Sequence, residues 1–171
     1  MSGLIGAKDL IIVEGELDSL HATIKGVNNV VATGGSSINS EQIKDAIKRG
    51  AKAFTICFDT EIDKLQETET AINRAIEVIL SEGVNNVYIV TLPPLSFKKT
   101  DVDTLIKYRG VEAFITAILQ AIPHYKYSLI SIFNKYRRLQ EETGDLTDRQ
   151  LEDLLTEIVE TASKLQPIDK T

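Results

Sequence analysis

Tryptophan is absent and cysteine occurs once, as Cys57. One cysteine excludes an internal disulfide and any zinc site built from paired thiolates, and inside an apolar run it behaves as a small buried hydrophobe. Positive charge is also short, since 19 Lys and Arg stand against 25 Asp and Glu for a formal net charge of −6. That balance excludes a broad electrostatic grip on nucleic acid, so any such partner is expected to be held locally or by another domain. No apolar run approaches the ~20 residues that cross a bilayer, and the N-terminus lacks the basic start of a secretory signal. The expectation is a protein of the reducing cytoplasm with no membrane partner. What remains suffices for a core: 171 residues, 43% of them apolar, fit one compact domain with an appendage.

The informative residues are acids placed after short apolar runs. Glu14 follows Leu10-Ile11-Ile12-Val13, and Asp59 follows Phe54-Thr55-Ile56-Cys57-Phe58. Continuous apolar runs of this length read as parallel strands buried on both faces, and α/β sheets bind ligands outside the carboxyl ends of such strands. Glu61 and Asp63 lie just beyond Asp59, and Asp101 and Asp103 come after a further run, Val87-Tyr88-Ile89-Val90. Three loops are thus expected to converge on one acidic rim. With no lysine inside these motifs, the rim has the oxygen ligands that a hard divalent cation such as magnesium requires.

Periodicity orders the remaining elements. Leu17, Leu20 and Ile24 recur at helical spacing before Gly26, and Asn29 to Ala32 forms a second strand. Gly34 and Gly35 make a turn, Asn39 or Ser40 caps a helix carrying Ile43, Ala46 and Ile47, and a third strand covers Ala53 to Phe58. A longer amphipathic helix shows Ile72, Ala75, Ile76, Ile79 and Leu80, followed by a strand at Val87 to Thr91. Alternating strands and helices predict a parallel sheet covered on both faces. From Asp101 the pattern turns to helix alone, ending in a segment that opens at Thr147 and shows Leu151, Leu154, Leu155, Ile158 and Val159 on one face.

Taken in order, these motifs resemble a known family. Val13-Glu14-Gly15-Glu16-Leu17-Asp18, Ala32-Thr33-Gly34-Gly35-Ser36, Cys57-Phe58-Asp59-Thr60-Glu61 and Asp101-Val102-Asp103-Thr104-Leu105-Ile106 are similar to the motifs of a TOPRIM domain. Such domains also serve topoisomerases, OLD-type nucleases and ribosomal-RNA maturation enzymes. The acid-x-acid pair leading into a helix, with Gly110-Val111-Glu112-Ala113-Phe114 and an Ala121-Ile122-Pro123 closing the next helix, more narrowly resembles the bacterial replicative (DnaG-type) primase. The resemblance implies an α/β, Rossmann-like parallel sheet of about four strands flanked by helices. It places a TOPRIM domain over residues 1–122 and a C-terminal helical appendage over 123–171.

It also implies a DNA-directed RNA polymerase activity that makes RNA primers by metal-dependent nucleotidyl transfer. The partners would be a single-stranded DNA template, ribonucleoside triphosphates and a replicative helicase, and the cofactor Mg2+ or Mn2+. Position by position, Glu14 and Asp59 become the catalytic acids, and Glu14, Asp59, Glu61, Asp101 and Asp103 the metal ligands. Glu14 is either a ligand or the general base. Asp18, Gly15, Gly34, Gly35, Asp63, Lys98 and Lys99 take supporting places. The family's second acid of Asp-x-Asp is Glu61 here, so either Glu61 or Asp63 completes the set. A primase core also carries a basic N-terminal subdomain and a zinc domain, neither of which fits in this chain, which implies an excised fragment or a stand-alone relative. A TOPRIM nuclease and a non-catalytic binding module are the alternatives.

Plainer readings stand beside these. Asp101 or Asp103 could be a helix N-cap, Gly34-Gly35 a plain turn, and Lys98-Lys99 a solvated pair. His21 and His124 read as structural or solvated. Tyr125, Tyr127 and Tyr136 beside Arg137-Arg138 read as a helix's core edge before a platform for stacking bases.

Overall fold

The structure is a computed structural model that describes residues 8–35, 37–95 and 99–163. Two compact units divide it, Met1–Pro123 and His124–Thr171.

The first unit is built on a five-stranded sheet. Its strands are β1 (Asp9–Val13), β2 (Val30–Ala32), β3 (Ala53–Ile56), β5 (Val87–Ile89) and β7 (Ile122–Pro123), in the spatial order β2-β1-β3-β5-β7. The first four are parallel, with Ile11 opposite Val30 and Thr55, and Phe54 opposite Val87. Helices cover both faces: α1 (Glu16–Ile24), α4 (Val102–Arg109) and α5 (Val111–Leu119) on one, α2 (Ser40–Lys48) and α3 (Leu65–Ser81) on the other. Ile11, Val13, Cys57, Val90, Leu105 and Phe114 meet in the core on the first face. Ile12, Phe54 and Ile56 alternate to the second face, which explains why β1 and β3 read as continuous apolar runs.

Two expectations need correction. Leu17, Leu20 and Ile24 do not face the core but lie 72%, 56% and 70% exposed, while Asp18 and Ala22 turn inward. The inward side of α1 carries small and polar groups because it packs closely on β2 and α4. There Ser19 Oγ donates to the Val30 carbonyl at 2.9 Å, and His21 meets Asp103. Second, Ala121-Ile122-Pro123 does not close a helix. α5 stops at Leu119, and Ile122–Pro123 pairs antiparallel with β5 at the sheet's edge, where proline's missing N–H costs no ladder bond. A two-stranded antiparallel ribbon, β4 (Thr60–Glu61) with β6 (Lys99–Thr100), also joins two of the acidic loops.

The second unit is a helical hairpin of α6 (His124–Thr143) and α7 (Asp148–Ser163). Glu157 of α7 pins it, accepting hydrogen bonds from Tyr136 Oη at 2.9 Å and Lys135 Nζ at 2.6 Å. Tyr136 is buried and its hydroxyl committed, so this tyrosine is core and no stacking platform. On α7, Leu154 and Ile158 are half-buried whereas Leu151, Leu155 and Val159 are exposed.

Candidate active site

The chain leaves β1 toward β2 on one side, while β3 lies on the other, so the carboxyl ends of β1 and β3 flank the point where the strand order reverses. A crevice opens there in sheets of this kind. Glu14 and Asp59 stand on its two sides. The backbone N–H of Asp59 donates to Glu14 Oε1 at 3.2 Å, so the two loops are tied by the acid itself. Burial raises the proton affinity of Glu14 above the ordinary carboxylate range, and the neighbouring Asp59 charge raises it further. Asp59 is raised likewise, first by burial and then by Asp101 and Glu61, against the lowering effect of Lys99.

Asp18 holds the third loop to the first. Its Oδ1 accepts the Asp103 N–H at 2.7 Å and its Oδ2 accepts the Gly15 N–H at 3.2 Å. The carboxylate is buried and lies so near that a Cβ on residue 15 would sit 2.5 Å from Oδ2, so a side chain there would push the Asp18 carboxylate out of place. Burial raises the Asp18 proton affinity, the bond from the Asp103 backbone opposes the rise, and the charges of Asp59 and Asp101 add to it. The structure therefore occupies Asp18 with backbone donors. Asp103 in turn meets His21 Nδ1 at 2.6 Å, a contact across 82 residues that makes His21 part of the rim's frame. Asp101 does act as the N-cap of α4, accepting from the Thr104 N–H at 2.7 Å, while its charge still reaches Asp59.

The rim is not free of lysine. Lys99, on β6, places its Nζ 2.7 Å from Asp59 Oδ2, and Lys64 lies 2.8 Å from Glu61 Oε2. The motifs themselves contain no basic residue, but the ribbon and the turn after it bring two against the acids. Glu61 sits on β4 opposite Lys99 and acts on Asp59 by its charge, whereas Asp63 lies exposed in the short turn Ile62–Lys64. Lys98 lies outside the described residues. Gly34 and Gly35 follow β2 with φ of +74° and +154°, backbone that favours glycine, and Thr33 Oγ1 donates to the Gly35 carbonyl.

The donor set fits a hard divalent cation in kind, being oxygen only, half-buried and mutually repelling. In the arrangement described, no three acidic, histidine or cysteine groups converge to hold one among the described residues. The acids are instead engaged by Lys99, Lys64, His21 and backbone N–H groups.

Residues 11–106 match the Toprim-like family from the middle of β1 into α4, a stretch that includes Glu14, Asp59, Asp101 and Asp103. The chain belongs to the Toprim-like family. Among curated relatives, the DNA primase of Enterococcus faecalis is 28% identical over 159 residues, covering 92% of this chain and 23% of that protein. The DNA primase of Clostridium acetobutylicum is 26% identical over 161 residues, covering 94% of this chain and 24% of that protein. The chain thus spans about a quarter of the curated relatives it matches. Of solved structures, a DNA primase domain from Pseudomonas aeruginosa superposes with a TM-score of 0.68 at 26% identity, over 92% of this Toprim-like chain and 45% of that one. The Aquifex aeolicus primase, comprising zinc-binding and RNA polymerase domains, gives 0.60 at 28% identity, over 92% and 35%. A DnaG primase catalytic domain bound to single-stranded DNA gives 0.66 at 25%, over 92% and 45%.

Proposed function

We propose that this chain is the Toprim segment of a primase-type nucleotidyltransferase, acting in the cytoplasm to make RNA primers on single-stranded DNA. Residues 1–122 form the Toprim domain and 123–171 a helical appendage. The observation that carries the reading is the Glu14–Asp59 junction, two half-buried carboxylates tied across adjacent strand ends at the switch point of the sheet. The third acidic loop, with Asp101 and Asp103, and the primase relatives support it over other Toprim activities.

Asp59, Glu61, Asp101 and Asp103, with Glu14 unless it serves as the base, would hold Mg2+ or Mn2+, which when bound neutralises phosphate charge and polarises the phosphorus–oxygen bonds of a ribonucleoside triphosphate. The remaining tasks fall to the chain. Glu14 is suited to accept the proton of the attacking 3′-hydroxyl, because burial and Asp59 give it a proton affinity nearer neutrality than a solvated carboxylate has. Asp18, with Gly15, fixes the backbone of the Asp103 loop against the Glu14 loop. Template, nucleotide and a replicative helicase are the partners of the reading. The test is Mn2+ titration of wild type and Asp59→Asn by calorimetry, followed by ribonucleotide incorporation on a single-stranded template. Equal metal binding by both proteins would place the metal elsewhere, and metal-dependent strand cleavage without incorporation would make the chain a Toprim nuclease.

A further inference from the structure

The ammonium of Lys99 is paired with Oδ2, one of the two oxygens that Asp59 offers to a cation. Its Nζ lies 2.7 Å from Oδ2, with the Asp59 side chain 13% exposed and the Lys99 side chain 46% exposed, so the lysine reaches in from solvent and closes over the acid. Its backbone is fixed, because Lys99 pairs with Glu61 across the β4–β6 ribbon. Its stem is not. The same ammonium lies in the field of Asp59, Asp101 and Glu61, three of the acids assigned to metal. The other rim acids are engaged as well, Glu61 by Lys64, Asp103 by His21, and Glu14 and Asp101 by backbone N–H groups.

We infer that Lys99 is a resident counter-ion of the acidic rim, held on Asp59 until a divalent cation displaces it, and that it sets the metal affinity of the site. This rests on the assignment of Asp59 as a metal ligand. Two physical consequences follow. A divalent ion entering beside Asp59 must break the ion pair and tolerate a positive charge within a few ångströms, which weakens its binding. The ribbon is the element through which this coupling runs, since it holds Lys99 and Glu61 opposite one another.

The experiment is Mn2+ binding to the full 171-residue chain, by calorimetry and by the electron-paramagnetic-resonance signal of free Mn2+, at one pH and ionic strength. Lys99→Met removes the charge and keeps the apolar stem; Lys99→Arg keeps the charge. Circular dichroism melting without metal verifies that each variant folds. Lys99→Met should bind Mn2+ at least about tenfold more tightly than wild type, and Lys99→Arg within about threefold of it. In an Asp59→Asn background the Lys99→Met gain should disappear. Unchanged or weaker binding by Lys99→Met, with Asp59→Asn still impairing it, overturns the role of Lys99 and leaves the metal site standing. Asp59→Asn binding as wild type does overturns the metal assignment, and the inference with it.

Discussion

Replacing Asp18 by alanine removes the buried carboxylate that accepts the part-buried N–H groups of Gly15 and Asp103. An orphaned buried donor costs about 1–3 kcal/mol, and bonds to a charged acceptor lie toward the upper part of that range. One effect opposes the loss: burial already disfavours the Asp18 carboxylate, so deleting its charge relieves the folded state. The net expectation is a destabilisation of about 2–4 kcal/mol, which for a chain of this size lowers the melting temperature by roughly 5–15 °C. Asn at this position retains one acceptor but turns its amide NH2 toward the second donor, so the expected loss is smaller, about 1–2 kcal/mol. Urea unfolding followed by circular dichroism measures both. An alanine variant within about 0.5 kcal/mol of wild type would refute the clamp and return Asp18 to the set of free carboxylates.

Glu14, Asp18 and Asp59 each hold their protons more tightly in the folded chain than in the unfolded one. The stabilisation this brings is complete below the unfolded carboxylate values, about pH 4, and is lost as pH rises through the higher folded values. Glu14→Gln should therefore melt above wild type at pH 7.5, and its advantage should shrink as pH falls toward 5; a difference independent of pH would contradict the raised proton affinity. With a net charge of −6, the chain alone should bind single-stranded DNA more weakly than about micromolar at physiological salt, as read by fluorescence anisotropy. Tighter binding would direct attention to the basic stretch at Arg137.

The parts of the fold that were legible in sequence are those in which one periodicity serves one environment. Ile11 to Val13 and Phe54 to Ile56 are buried on both faces of a parallel sheet, so their runs have no competing reading, and Glu14 and Asp59 follow neighbouring strand ends. On α1 the apolar spacing of Leu17, Leu20 and Ile24 is real but points outward, because the inward side has to admit the Asp18 clamp and the His21–Asp103 contact. Hydrophobicity alone cannot report a face chosen for polar chemistry. The β4–β6 ribbon was invisible for another reason: two residues are too few to show alternation. Without the ribbon, Lys99 could be singled out only as a basic residue beside the acid pair, and its contact with Asp59 could not be read. The pairing of Ile122–Pro123 is not legible because proline after a helix reads as a helix stop, although it is equally compatible with a sheet edge.

The most direct test of the central claim, that this acidic rim performs nucleotidyl transfer, is primer synthesis on single-stranded template by the natural gene product carrying Glu14→Gln. The amide is nearly isosteric and its oxygen can still accept the Asp59 N–H, so the fold should remain intact. It can neither take the proton of the attacking hydroxyl nor ligate a metal as a carboxylate does. Synthesis should fall by at least about a hundredfold, within the range of roughly 10²–10⁴ that loss of a general base produces. Synthesis within a few-fold of wild type would contradict the role of Glu14 and the catalytic reading of the rim with it.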